Sequence, residues 1–400
     1  MDKNTKSLGQ PILNQIFKLI PSSEIEKAAK KRKSNHYYKT LPVRVHLVSL
    51  LYGVFSYCQG LRELCEGLLA CEGKLTHLGL NKVPARSTLS DANRGRSYLV
   101  FEDIYFALLN RYVGFISDSR LKGLSIRNLK IIDSTTISLF SEILQGVGRN
   151  TKDGSRKKGG LKVHSLMDAF SGVVEFCKIT AAKVNDRKFL YKLKLPPNSY
   201  IVMDKAYNVY AQFDKWTKSQ IWFVTRMKTN AKYHVIKVLQ DYSKKANRKG
   251  VLKEQIISIG YKQLGEEIRL RLRRIEYRDE QGRLYVFLTN DFVQKASKIA
   301  LIYKYRWMIE LLFKQIKQNF PVRYFWGENT NAIKTQIYCV LIAQLLMVVI
   351  RKKSATKKSF ANMITVVRLH LMSYVNLLEF IKDTHLAWRK TYQTPQLFSG

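Results

Sequence analysis

The chain has few acidic residues, few cysteines and no long uninterrupted apolar segment. Only 30 Asp and Glu stand against 69 Lys and Arg in 400 residues, so the formal net charge is +39. This excess predicts a polyanionic partner, with nucleic acid as the first candidate and an anionic membrane surface as the second. The longest apolar run, Ile337 to Ile350, spans 14 residues and contains Gln344, whereas a membrane span needs about 20. We therefore expect no membrane partner.

The five cysteines are odd in number and include no Cys-x-x-Cys pair, which argues against both a disulfide framework and a zinc ribbon. The seven histidines form no His-Glu-x-x-His motif, so any metal site must use oxygen ligands. No signal-peptide-like apolar stretch opens the sequence, and we expect a cytoplasmic chain. Because 46% of the residues are hydrophobic and only 8 are Pro, we expect a folded protein of two or three domains.

Helical periodicity dominates the first 120 residues. Leu47, Leu50, Leu51 and Val54 recur at helical spacing, and a further helix is predicted to begin near Ser87. A basic run between Lys27 and Lys39 precedes them; it is either a solvated arm or an arm that grips phosphate.

The period changes from 3.6 to 2 at about residue 125. Residues 128–133 and 200–204 each read as a short buried strand that ends in an acid, and a predicted hairpin turns at Gly172. A helix is predicted to open at Asn185. The order strand, strand, strand, helix, strand, helix predicts an α+β fold with an antiparallel meander at one edge.

Strand patterns return between residues 222 and 292. Ile268 to Arg273 alternates strictly and places three arginines on one face: Arg269, Arg271 and Arg273. This face is either an exposed sheet surface or a phosphate-facing ribbon, and in a chain this basic we favour the ribbon. Two long helices are predicted after it, Ala296 to about Phe320 and Ile337 to Lys353.

Two aspartates, Asp133 and Asp204, end separate predicted strands. Strand ends are where open sheets expose side chains to a cleft. If the two strands are adjacent, the two carboxylates lie close together, and they repel each other unless a cation lies between them. The pair therefore suggests two Mg²⁺ ions ~4 Å apart, an arrangement that activates a nucleophile and stabilises a leaving oxygen on phosphorus.

A third acid is suggested by helical geometry. At about 100° per residue, one stripe collects Tyr303, Arg306, Glu310 and Lys317 opposite the apolar face, with Trp307 beside it. A carboxylate flanked by cations and a phenol suits a metal–phosphate site. An ordinary solvated face with ion pairs one turn apart is the alternative.

The spacing Tyr-x2-Arg-x3-Glu-x6-Lys of that stripe resembles the signature of the IS-four family of insertion-sequence transposases. Asp133-Ser-Thr-Thr and Asp204-Lys-Ala-Tyr resemble the family's first and second aspartate motifs. Their separations are 71 residues from Asp133 to Asp204 and 106 from Asp204 to Glu310. The long second gap is similar to that of relatives with a β-rich insertion. Gly160-Leu-Lys-Val-His164 also resembles a recurrent stretch of the family.

The resemblance implies an RNase H-like catalytic core with a β-rich insertion, preceded by an all-helical DNA-binding region. The expected boundaries are 1–120 for a helical region that binds DNA ends, 125–355 for the catalytic domain, 222–292 for the insertion within it, and 356–400 for a helical tail. Asp133, Asp204 and Glu310 would be the catalytic metal ligands, with two Mg²⁺ ions expected and Mn²⁺ as a substitute.

The same resemblance implies a bacterial, nucleoid-associated protein that cuts transposon ends and joins them to target DNA. The expected partners are the double-stranded terminal inverted repeats, the target DNA and a second copy in a synaptic homodimer. Residues expected to contact phosphate or DNA are Tyr303, Arg306, Lys317, Trp307, Arg269, Arg271 and Arg273. Residues expected to recognise the ends are Arg86, Thr88, Ser90, Asn93 and Arg94, exposed on the helix near Ser87; a scaffold helix is the alternative there.

Two other functions stay open: a catalytically silent DNA-binding derivative, and an RNase H-like nuclease without strand transfer. A family member is expected to close a DNA hairpin on the transposon end, which requires an unstacked base. Trp307 is the candidate to stack on that base, with Tyr285 as a weaker one. The alternative is that Trp307 packs against the insertion.

Overall fold

The computed structural model describes residues 9–118, 121, 123–126, 128–138, 160–242 and 249–393. The chain divides into two compact units. The first, here the helical unit, comprises Met1–Ile116, Ser138–Gly146 and Lys314–Gly400. The second, here the sheet unit, comprises Ser117–Ile137 and Val147–Phe313.

One nine-stranded mixed sheet dominates the sheet unit. The strands are β1 (Leu129–Ser138), β2 (Gly160–Asp168), β3 (Val174–Ala181), β4 (Tyr200–Met203), β5 (Trp222–Arg226), β6 (His234–Asp241), β7 (Gly250–Gln263), β8 (Glu266–Arg278) and β9 (Leu284–Thr289). Their spatial order is β3-β2-β1-β4-β5-β9-β8-β7-β6. The pairs β1–β4 and β4–β5 are parallel, whereas β2–β3 and the pairs from β5–β9 to β6–β7 are antiparallel. A mixed α/β chain with a large sheet is confirmed.

The short central strand β4 shows why this sheet forms where it does. Its four residues, Tyr-Ile-Val-Met, are buried throughout because β1 and β5 flank them on both sides. Side chains of β4 and β5 pack with Phe213 and Trp216 of the helix α8 (Tyr210–Lys218) into one apolar core. The strand Trp222–Arg226 thus belongs to the parallel group, and the antiparallel strands begin after it.

Two predicted boundaries are wrong. The sequence pattern predicts that the first strand ends at Asp133, but β1 continues to Ser138. Its pairing with β4 reaches only Ile132, while β-branched Thr135, Thr136 and Ile137 keep the chain extended beside β2.

The helix predicted from Ala296 to Phe320 is two helices, α9 (Ala296–Lys304) and α10 (Trp307–Asn319). Between them the backbone tightens to i→i−3 hydrogen bonds, such as Arg306 N–H to the Tyr303 carbonyl at 3.0 Å.

The helical unit combines both ends of the chain. Its helices are α1 (Ile12–Phe17), α2 (Ser22–Lys31), α3 (Val43–Ser56), α4 (Leu61–Leu69), α5 (Arg86–Gly95), α6 (Leu99–Ile116), α11 (Thr330–Ser354), α12 (Phe360–Leu369), α13 (Leu377–Lys382) and α14 (Thr384–Gln393), with a 3₁₀ helix at Glu72–Leu78. A four-residue helix, α7 (Arg187–Leu190), lies in the sheet unit. Helix α11 contacts α3, α5, α6 and α13, so the C-terminal helices complete the core of the N-terminal ones.

Helix α11 is the central helix of this unit. The Asn329 side chain caps its start by accepting the Ala332 N–H at 2.7 Å, and Arg351, Lys352 and Lys353 occupy its last turn, where the helix dipole favours cations. Among the described residues it is the one helix long and apolar enough to span a membrane, with a mean hydropathy of 2.0. Because 89% of that apolar window is buried inside the protein, α11 is a core helix here.

Candidate active site

The strand register places the two predicted aspartates side by side. Leu129 pairs with Tyr200 and Ile132 with Met203 across the parallel strands β1 and β4. Asp133 and Asp204 directly follow the last paired residues, Ile132 and Met203. They lie side by side because paired residues are 71 positions apart, as the two aspartates are. Both therefore stand at the carboxyl edge of the parallel strands, where α/β sheets place ligands.

One charged residue of this site that sequence analysis missed, Arg226, lies beside Asp204. Met203 pairs with Thr225 in the parallel pair β4–β5, so Arg226 follows beside Asp204. The Arg226 Nη2 donates to Asp204 Oδ2 at 2.6 Å. The sequence signal for it is that Arg226 follows the apolar run Trp-Phe-Val-Thr of β5, as Asp204 follows that of β4.

The third predicted acid, Glu310, is linked to Asp133 by Arg306, which contacts both carboxylates. The Arg306 Nη1 lies 2.5 Å from Glu310 Oε1 and 3.7 Å from Asp133 Oδ2. Arg306 occupies the tight turn before α10, and Glu310 lies one turn into that helix. Tyr303, at the end of α9, is buried, and its ring lies 5.7 Å from the Arg306 guanidinium carbon. The structure thus brings Asp133, Asp204, Glu310, Arg306 and Tyr303 together.

The two aspartates differ in electrostatics. Burial raises the pKa of Asp133 to about 6; the Ser134 N–H and Arg306 oppose this rise, and the negative charges of Glu310 and Asp204 add to it. Burial also acts to raise the pKa of Asp204, but hydrogen bonds from Arg226 and from the Ala206 N–H outweigh it and hold that pKa below its ordinary value. Like charges and cations are therefore concentrated at one edge of the sheet.

Carboxylate oxygens are the ligands that a hard divalent cation prefers, so the three acids are of the right type to bind such an ion. Within the described ranges, no group of three Asp, Glu, His or Cys side chains stands close enough to hold a metal. Arg226 and Arg306 instead neutralise the acids in this structure. The residues that would hold a divalent ion are Asp133, Asp204 and Glu310.

A cavity of about 560 Å³ opens beside Arg306 in the sheet unit. Aromatic rings line it: Tyr277, Tyr285, Phe287, Tyr303 and Trp307. Tyr285 and Phe287 stack with their centroids 5.7 Å apart, and Trp307 is 57% exposed. Arg226, Arg283 and Arg306 add positive charge to the lining. An aromatic cavity flanked by guanidinium groups can accept a flat ring attached to a phosphate.

Lys317, the last member of the predicted stripe, lies on α10 beyond Phe313 and belongs to the helical unit. Burial lowers the pKa of Lys317, and the charge of Arg323 lowers it further.

The predicted arginine ribbon is corrected at one position. Arg269 and Arg271 are exposed on β8, as expected. Arg273 is buried: its side chain donates to Glu254 at 2.8 Å and to the Asp291 carbonyl at 3.1 Å. Strict alternation fails to predict this burial because the partners of Arg273, Glu254 on β7 and Asp291 after β9, are distant in sequence.

The predicted recognition helix exists as α5, and it too needs one correction. Arg86 and Arg94 are exposed, and Thr88 and Ser90 are half-buried. Asn93 is buried, since its side chain contacts His46 at 2.8 Å and the Trp326 carbonyl at 3.4 Å. The latter contact joins residues 233 positions apart, which no local pattern could reveal.

Residues 125–346 match the model of the transposase DDE domain, and residues 8–81 match a domain of unknown function. The first match covers more than half of the chain and includes Asp133, Asp204 and Glu310. The chain belongs to the DDE-domain transposase family.

Relatives place it among the transposases of insertion sequences. It is 29% identical over 264 residues to a putative transposase of Sinorhizobium fredii, covering 66% of this chain and 71% of that one. It is 27% identical over 278 residues to a putative transposase for element IS4SA of Synechocystis, covering 68% and 73%. A probable transposase for IS5377 of Geobacillus stearothermophilus is 28% identical over 223 residues, covering 55% of each chain.

One solved structure, a cryo-EM synaptic complex of the piggyBac transposase with hairpin DNA, has a TM-score of 0.43 and 10% identity over 98% of this chain and 84% of that one. This likeness is too weak to define the fold.

Proposed function

We propose that this transposase binds the terminal inverted repeats of an insertion sequence, cuts the DNA ends and joins them to target DNA by divalent-metal-dependent phosphoryl transfer. The observation that carries the proposal is the parallel register, which sets Asp133 beside Asp204, with Glu310 joined to Asp133 through Arg306. The order β3-β2-β1-β4-β5, with β1, β4 and β5 parallel, supports an RNase H-like core.

The acids and the arginines have separate parts in this proposal. Transposases of the DDE family use divalent metal ions; we propose two Mg²⁺ ions, for which Mn²⁺ substitutes. When bound, these ions activate the attacking oxygen and stabilise the leaving one. Asp133, Asp204 and Glu310 would hold these ions. Arg226 and Arg306 then exchange their carboxylate partners for the non-bridging phosphate oxygens, which a guanidinium binds in a bidentate manner.

DNA is the proposed partner because the charge of +39 is far too large for intramolecular pairing. The exposed arginines of β8 are the proposed backbone contacts in the sheet unit. In the helical unit, the exposed residues of α5 are the proposed end-recognition side chains. We propose a homodimer in the synaptic complex, since two ends must be processed together.

The aromatic cavity is the proposed site for an unstacked base during hairpin formation. Arg306, the proposed phosphate ligand, lines this cavity, and stacking of the base on Trp307 would offset part of the few kcal/mol needed to extrude it. The half-exposed ring of Trp307 is available for such stacking.

The test uses the full-length protein, duplexes carrying the inverted repeats, and a target plasmid in Mg²⁺. Single Ala variants of Asp133, Asp204 and Glu310 should abolish cutting but bind end DNA as the wild type does. Asp241→Ala, at an exposed ion pair on β6, is the matched control and should stay active.

Joined products in the plasmid establish strand transfer. Cut ends without joined products would make the protein a nuclease. Binding without cutting would make it a silent DNA-binding derivative.

A further inference from the structure

A second ionic cluster, which the proposed reaction does not use directly, contacts Ser134, the residue after Asp133. Its centre is Asp186, just before α7. One oxygen of this carboxylate, Oδ1, lies 3.1 Å from Lys162 Nζ and 3.4 Å from His164 Nδ1, both on β2. The Ser134 hydroxyl donates to the same oxygen at 2.8 Å.

Two members of the cluster are almost completely buried: Lys162 is 3% and His164 is 1% exposed. Lys162 Nζ also donates to the Val184 carbonyl at 3.0 Å, so it fixes the loop that carries Asp186. Burial lowers the pKa of His164 to about 4, and the imidazole is therefore neutral near pH 7. Lys162 thus supplies the positive charge that balances Asp186. A buried ion pair stabilises a fold little, because desolvation costs several kcal/mol per ion.

The cluster connects to the active site through Ser134. The Ser134 side chain is held by Asp186, while its backbone N–H donates to Asp133 Oδ1 at 2.8 Å. A second connection runs through the neighbouring Arg187, whose Nε donates to the Ala206 carbonyl at 3.5 Å. The Ala206 N–H in turn donates to Asp204. Asp133 therefore accepts from the backbone of a residue that the cluster holds, and Asp204 accepts from one that contacts the neighbouring Arg187.

We propose that Asp186 is a positioning residue for catalysis. Held by Lys162, it fixes Ser134 and so orients the Asp133 carboxylate for a divalent ion. This inference rests on the proposed function. It also gives a role to the Gly160-Leu-Lys-Val-His164 stretch, whose lysine holds the positioning carboxylate without touching the reacting atoms.

A second lysine–aspartate pair in the sheet unit provides a control, in which the lysine, Lys130, also binds Glu175 at 2.5 Å. Lys130 Nζ lies 3.1 Å from Asp168 Oδ1, the same distance as in the pair Lys162–Asp186. The other oxygen of Asp168 accepts the Ser171 N–H at 2.7 Å, which braces the turn between β2 and β3. Replacing either aspartate removes a carboxylate paired with a buried lysine, but only the Asp186 change alters the support of Asp133.

The experiment compares full-length wild type, Asp186→Asn and Asp168→Asn. Mn²⁺ binding is measured on the free protein by electron paramagnetic resonance, and end cleavage is titrated with Mn²⁺. Loss of a partner that orients a metal ligand typically costs 10- to 100-fold in metal affinity or activity. We expect Asp186→Asn to raise the half-saturating Mn²⁺ concentration by that factor in both assays. Asp168→Asn should lower the melting temperature and leave the Mn²⁺ dependence at the wild-type value.

Ser134 variants keep the test decisive if Asp186→Asn does not fold. Ser134→Ala removes the bridging hydroxyl and should weaken Mn²⁺ binding, whereas Ser134→Thr keeps a hydroxyl and should restore it. Equal Mn²⁺ dependence in the Asp186 and Asp168 variants, or in the two Ser134 variants, overturns the positioning role. A wild type that binds Mn²⁺ no better than Asp133→Ala overturns the proposed metal site itself, and the inference fails with it.

Discussion

Replacing Trp307 by Ala tests whether the aromatic cavity receives an extruded base. Because the Trp307 side chain is 57% exposed, its truncation should destabilise the protein by only about 1 kcal/mol. Stacking of an aromatic side chain on an unstacked base contributes about 1–3 kcal/mol. At about 1.4 kcal/mol per factor of ten, the variant should form hairpins about 5- to 150-fold more slowly. First-strand nicking precedes base extrusion and should proceed at the wild-type rate.

The assay follows nicked, hairpin and resolved products on gels, with 2-aminopurine at the terminal position of the end DNA to report extrusion. Leu311→Ala is the matched control, since Leu311 is 60% exposed and lies one turn further along α10. It should give wild-type hairpin rates and fluorescence. Normal hairpin formation and unchanged fluorescence in Trp307→Ala would refute the stacking role. Trp307 would then only pack against the neighbouring strands.

Three further predictions concern DNA binding and pH. Charge reversal of Arg269 and Arg271 to Glu should flatten the log–log dependence of DNA affinity on salt by about 0.9 for each phosphate that these arginines neutralise in the wild type. Changing Arg86 and Arg94 to Ala should reduce the preference for inverted-repeat over random duplex, measured by competition binding. Burial lowers the pKa of His46 to about 3, so the stability it contributes is complete above pH 6.5 and declines as the pH falls. His46→Gln should therefore remove about 2 kcal/mol of the stability difference between pH 6.5 and pH 5, measured by urea unfolding.

Each of these outcomes has its control. Lys192→Glu with Lys194→Glu changes the same charge in an exposed loop of the sheet unit, and an equal change of slope in both proteins would remove β8 from the DNA surface. An unaltered preference for inverted repeats in the α5 variants would place end recognition elsewhere. An unchanged pH dependence in His46→Gln would show that folding does not lower the pKa of His46.

The sequence predicted most of what local pattern determines. Two short apolar runs, each followed by an acid, predicted that Asp133 and Asp204 lie at one edge of the sheet, and the buried run Tyr-Ile-Val-Met is one of them. Helical spacing identified the group Tyr303, Arg306 and Glu310, although the chain breaks the helix between them.

Long-range packing accounts for what could not be predicted. Arg226 joins the site only because β5 lies beside β4, and Asp186 reaches Ser134 from 52 positions away. Arg273 and Asn93 are polar residues at positions that look exposed by periodicity, and both are buried by distant segments. The union of the N-terminal helices with α11 depends on contacts between opposite ends of the chain.

The ligand role of Asp133 provides the most direct test of the central claim, that this carboxylate holds a divalent ion during DNA cleavage. In Asp133→Cys, a thiol replaces the hard oxygen donor; Mg²⁺ binds thiolates poorly, whereas the softer Mn²⁺ tolerates them better. The measurement is the rate of end cleavage by wild type and variant in each metal. We predict that the variant does not cut in Mg²⁺ and recovers cutting in Mn²⁺, while the wild type cuts in both. A variant that cuts in Mg²⁺ as fast as the wild type would contradict the claim.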